Sequence, residues 1–86
     1  MKPLQCTAYF LYTRGREDRK GIQLEWIERT VAHPISECVQ SDGRIRRWAR
    51  IPEADGRILR VALLEDGRTV HNAFFDRSYR EADNER

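Results

Sequence analysis

Three Asp-Gly-Arg triplets set the layout of the second half of this chain: Asp42-Gly43-Arg44, Asp55-Gly56-Arg57 and Asp66-Gly67-Arg68. Asp-Gly favours tight turns between antiparallel strands, because those turns need positive φ and glycine has no Cβ to clash there. Short runs rich in Ile, Val, Leu, Trp and Phe lie between the triplets. The spacing predicts a meander of four strands over Ser36 to Gln40, Ile45 to Ile51, Ile58 to Leu64 and Thr69 to Phe75.

The first half carries different signals. Thr7 to Thr13 is aromatic and β-prone, which predicts a first strand. Arg14 to Lys20 is densely charged and ends at Gly21, as a short helix or a loop would. Ile22 to Ala32 has helical spacing, with Leu24, Ile27 and Val31 on one side. Pro34 disfavours helical geometry in the residue before it, so this helix must stop near His33. The expected fold is therefore α+β: an N-terminal strand, one or two helices, then a four-stranded antiparallel meander. Residues 1–86 make one domain, with a polar, flexible tail over 78–86.

Composition narrows the function classes. Hydrophobic residues are 40% of the chain and charged residues 35%, the balance of a globular domain. No apolar run approaches the length of a membrane span. Met1 to Cys6 has no apolar signal-peptide stretch, so a cytoplasmic location without membrane partners is expected. Cys6 and Cys38 are read as free thiols in that compartment. With His33 and His71 they supply metal-ligand types but no close ligand pair, so no metal site is assigned. No cofactor motif is present. Net charge is only +2, but of the 16 basic residues just Lys2 and Lys20 are not arginine. The guanidinium fork matches phosphate oxygens and stacks on flat rings.

Alternation along the strands sorts the side chains into two faces. A helix-covered row is expected to hold Ile45, Ala49, Ile51, Leu59, Val61, Leu63, Val70 and Phe74. The opposite row holds Arg46, Trp48, Arg50, Arg60 and His71, with Ala62 and Ala73 leaving space. A single bulge would exchange the faces beyond it. The second row has the chemistry of an RNA surface. Trp48 offers a stacking plane, and Arg46, Arg50 and Arg60 match phosphates. Arg16 and Arg19 would extend this clamp from the charged segment. RNA brings its own nucleophile, the 2′-OH, so a metal-free ribonuclease needs little beyond an acid, a base and a cationic clamp. His71 and Arg60 are the candidate catalytic residues. The plainer reading has Trp48 covering the open side of a small sheet, His71 hydrogen-bonded within its strand, and the arginines in surface ion pairs.

The stretches over 16–44 and 56–75, with their Gly-Ile step into a helix, His-Pro stop and Gly-Arg turns, resemble a small bacterial family of unknown function near the RelE/ParE/BrnT-like toxin superfamily. The resemblance implies a RelE-like fold and a link to RNA cleavage in toxin–antitoxin systems, with an antitoxin protein as partner. Such domains often carry a histidine near the end of the first strand; here that position reads Tyr12-Thr13-Arg14. The competing expectation is a non-catalytic module that forms a homodimer through a sheet edge, lined by Phe74, Phe75 and Tyr79.

Overall fold

The computed structural model describes residues 4–16 and 21–79. In chain order it has β1 (Gln5–Cys6), α1 (Ala8–Arg14), α2 (Leu24–Ala32), β2 (Ser36–Val39), β3 (Ile45–Ile51), a 3-10 turn (Pro52–Ala54), β4 (Arg57–Leu63) and β5 (Thr69–Phe75). The strands form one mixed sheet in the order β1-β5-β4-β3-β2. Sequence neighbours from β2 to β5 pair antiparallel, while β1 runs parallel to β5. The class is α+β, with two helices and five strands.

The strand expected over Thr7 to Thr13 is instead a helix. Thr7 caps it: its Oγ1 accepts the Phe10 N–H at 3.1 Å. Such a cap satisfies one of the orphan donors of the first turn. The buried residues of α1 are Phe10 and Thr13, three apart, which is helical spacing and not strand spacing. The N-terminal strand is the two-residue β1 just before it, held by Thr7 N–H donating to Val70 O at 3.0 Å. Local capping and the burial of Phe10 outweigh the β-preference of the aromatic run.

Two of the three Asp-Gly-Arg turns share one construction. In the first, Gly43 N–H donates to Gln40 O and Arg44 N–H to the Asp42 carboxylate. In the third, Gly67 N–H donates to Leu64 O and Arg68 N–H to the Asp66 carboxylate. The aspartate therefore matters as much as the glycine, because it pays the turn's backbone donors. At Gly43, φ is +92° and a Cβ would meet the Glu65 Cγ at 2.6 Å, so only glycine fits. The middle triplet differs. Pro52 starts a 3-10 turn, and Asp55 and Gly56 both take positive φ to leave it.

Both helices cover one face of the sheet. Leu59, Val61 and Leu63 on β4 are fully buried, in one cluster with Phe10 of α1 and Ile27 of α2. Each such side chain contributes roughly 1.5–3 kcal/mol by leaving water. Three arginines fasten this side. Arg29 makes a bidentate bond to Glu53. Arg47 binds Glu37 and also donates to Val31 O, a terminal carbonyl of α2. Arg57 donates to Ala54 O and lies over the Phe75 ring at 4.1 Å.

A bulge changes the phase of β5. Ala62 pairs with Asn72, yet Leu63 pairs with Val70, so His71 is the extra residue. Beyond it the expected faces exchange. Ala73, expected on the open side, is buried in the core, and Phe75, which shares its parity, packs on Trp26 of α2 with ring centroids 6.3 Å apart. Phe74, expected in the core, faces the open side under Arg60.

Two carboxylates make acid stability readable. Hydrogen bonds from Thr69 and from the Arg68 and Thr69 backbone hold Asp66 down from 3.8 to about 2. The bond from Arg29 holds Glu53 down from 4.5 to about 2. Folded values below unfolded values mean stabilisation that is complete at neutral pH and lost as pH falls through this window. Denaturant unfolding at successive pH values should show the wild-type advantage over Asp66→Asn shrinking from about pH 4 and gone only below about pH 2.

Candidate nucleic-acid interface

Among the described residues no helix lies over the outer row of β3 and β4. Trp48 stands opposite Arg60, Arg46 opposite Ala62 and Arg50 opposite Ile58. On the next strand, Phe74 stands opposite Arg60 and Asn72 opposite Ala62. Cys38 on the edge strand β2 is opposite Arg46 and exposed. This face therefore gathers Arg46, Trp48, Arg50 and Arg60 as alternation predicts.

The centre is a shared carboxylate. Asp76 Oδ2 accepts the Trp48 Nε1–H at 3.0 Å and lies 3.7 Å from Arg60 Nη1. Its other oxygen takes the N–H and O–H of Ser78 at 2.9 and 2.6 Å. The Asp76 side chain is 7% exposed. Burial pushes its pKa up, but the Ser78 and Trp48 hydrogen bonds and the Arg60 charge outweigh that, so it stays ionised below the usual carboxylate range. Arg60 is shifted down by burial and then by the charge of Arg46, against the pull of Asp76. Two guanidinium groups thus repel across one face. The Nε of each is buried without a hydrogen-bond acceptor. Arg60 spreads over the Phe74 ring at 4.8 Å. Tyr79 stacks on Trp48, with centroids 5.5 Å apart and planes 28° apart. Arg50 is exposed and donates to Gly56 O at 3.0 Å. A groove of about 630 Å³ continues past the end of this face, lined by Ile58, Phe74, Asp76, Arg77 and Tyr79 among others.

His71 does not join this group. The bulge turns it toward the start of α1, where its Nδ1 meets Thr7 Oγ1 at 3.1 Å and its ring stacks on Tyr9 at 4.9 Å. Since Phe10 of α1 lies in the core cluster, His71 is on the helix-bearing side, across the sheet from Trp48 and Arg60. Arg16 follows the C-terminal end of α1, just past Gly15, and is not on a strand of this row. Arg19 lies outside the described residues. Cys6 packs at the margin of the core, where burial raises its thiol pKa against the opposing charge of Arg14.

Asp76 and Tyr79 are the site residues that alternation missed, because they lie beyond the last strand. The Asp76-Arg77-Ser78 spelling carried the signal, since an Asp two residues before a Ser commonly closes a turn on its own side chain. Among the described residues no group of His, Cys, Asp and Glu could hold a metal ion, and no helix is long and apolar enough to cross a membrane. Comparison with family models, curated proteins and solved structures returned no match to this chain.

Asp76→Ala strips the acceptor from Trp48 and the counter-charge from Arg60. It should lower stability by about 1–3 kcal/mol. Asp76→Asn, which keeps an acceptor for Trp48, should lose less. Urea unfolding of the three proteins measures both differences.

Proposed function

We propose that this chain is an RelE-like RNA-binding protein whose single-stranded ligand lies across the open face of the sheet. One observation carries the reading: Arg46, Trp48 and Arg60 share the face turned away from both helices, with the Asp76 carboxylate set between Trp48 and Arg60. An aromatic plane flanked by guanidinium groups suits an unstacked base with its phosphates, and not a duplex, whose bases are already stacked. The element order, a short strand and two helices before four strands, supports the RelE-like part of the reading. A toxin role with an antitoxin covering this face accords with it. Cleavage by a His71 and Arg60 pair does not, because the two residues stand on opposite sides of the sheet.

The expected result is binding of a labelled single-stranded oligoadenylate that weakens with salt. Three phosphate contacts, from Arg46, Arg50 and Arg60, give a log K against log salt slope of about −2 for a single strand. Arg46→Ala should weaken binding and flatten the slope by about 0.7. His71→Ala should leave both unchanged. Fluorescence anisotropy across a salt series reads all of these, and salt-independent binding would remove the proposal.

A second reading is a non-catalytic module that pairs with a copy of itself along β2. The exposed apolar residues Val39 and Ile35 at this sheet edge favour it. Of the residues expected to line such an interface, Phe75 packs on Trp26, Tyr79 stacks on Trp48 and Phe74 lies under Arg60. On this reading sedimentation velocity shows a dimer that grows with concentration and is lost in Val39→Lys. A strictly monomeric profile excludes it.

A further inference from the structure

The chain leaves β5 in a way that returns it across the open face. Asp76 N–H donates to Ile58 O at 2.8 Å, one last rung of pairing with β4. The turn that Asp76 closes on Ser78 then bends the chain back, and Tyr79 lands flat on Trp48. The strap has the two parts of a nucleotide: an anion bound at Arg60 and the Trp48 edge, and a flat ring stacked on the Trp48 plane.

We propose that Trp48, Arg46 and Arg60 form a nucleotide subsite that the strap Asp76–Tyr79 occupies from within, and that a single-stranded RNA enters by displacing Tyr79. The incoming base takes the tyrosine ring's place on Trp48. Asp76 stays, keeping the indole edge fixed through Nε1–H and holding Arg60 in place. The phosphate meets Arg46, whose charge faces Arg60 and has no carboxylate at ion-pair distance among the described residues. The asymmetry between the two strap residues supports this division. The Asp76 carboxylate is 7% exposed and holds both the indole N–H and Arg60, so its departure would leave two donors without it, whereas Tyr79 presents to Trp48 a flat ring that a base replaces like for like. The proposal rests on the RNA-binding reading and adds to it the position of one base and a built-in competitor.

The test uses the full chain with Tyr79→Ala and Tyr79→Phe, titrated with labelled oligoadenylate. Removing one stacked aromatic competitor should tighten binding about two- to tenfold in Tyr79→Ala. Tyr79→Phe keeps the ring, so its affinity should stay near that of the wild type. Trp48→Ala in the Tyr79→Ala background should abolish the gain, which a purely structural role for Tyr79 would not predict. Tighter binding by Tyr79→Ala, including the case where only that variant binds measurably, supports the proposal. Wild-type binding with Tyr79→Ala equal or weaker overturns the strap and leaves the RNA-binding reading standing. Absence of binding by every protein overturns both.

Discussion

Everything in this molecule follows from covering a five-stranded sheet on one side only. The chain spends its two helices on the inner row of β4, where Leu59, Val61 and Leu63 are fully buried. Among the described residues nothing helical remains for the outer row. A bare apolar surface there would invite aggregation. The sequence fills it with side chains that have apolar bodies and polar ends. Arg60 lies flat on Phe74, and Trp48 hides its plane under Tyr79 while its N–H reaches Asp76. Guanidinium planes laid on rings cover carbon while their N–H groups point along the surface. The same arrangement that closes the sheet is the one that suits a base and its phosphates.

The arginines separate into two populations by environment. Arg29, Arg47 and Arg57 sit on the helix side or its margin, and each finds a carboxylate or a carbonyl that needs a donor. Arg47 is the clearest case, because it links the end of α2 to the edge strand through Val31 O and Glu37. Exposed ion pairs contribute little by themselves, so the value of these links is geometric. They set where α2 lies over the sheet. On the open face one carboxylate, Asp76, lies beside Arg60, and the Arg46 charge bears on Arg60 from the same side.

Much of this was legible before any coordinates. The Asp-Gly-Arg turns, the limits of β3 and β5, and the stop of α2 at His33 follow from turn chemistry, alternation and Pro34. Three things were not. α1 hides in a β-prone aromatic run, since one threonine cap and one buried phenylalanine decide against seven residues of propensity. The bulge at His71 has no marker in the residue types around it, yet it reverses Ala73, Phe74 and Phe75 and sends His71 to the other side of the sheet. The strap from Asp76 to Tyr79 lies past the last strand, where alternation has nothing to say. Alternation placed Arg46, Trp48 and Arg60 together because β3 and β4 pair without a break until Leu63. It failed for His71 because that residue is the break.

The unequal charge balance of the open face has a thermodynamic consequence on the RNA-binding reading. Burial first and then the charge of Arg46 lower the pKa of Arg60, and Asp76 opposes both without cancelling them, so some like-charge repulsion stays in the free protein. A second carboxylate beside Arg46 would complete the neutralisation and stabilise the free protein. It would also stand where a phosphate must come, so an arriving anion would then relieve nothing and would meet a like charge. Repulsion left in the folded protein is removed when a phosphate binds, which adds to affinity without any further contact. A face built only to close the sheet would gain from a further acid at this point. On the RNA-binding reading, a carboxylate held by Trp48 and Arg60, two like charges and a ring stacked on the indole suit a surface that is stable alone and more stable with a polyanion on it.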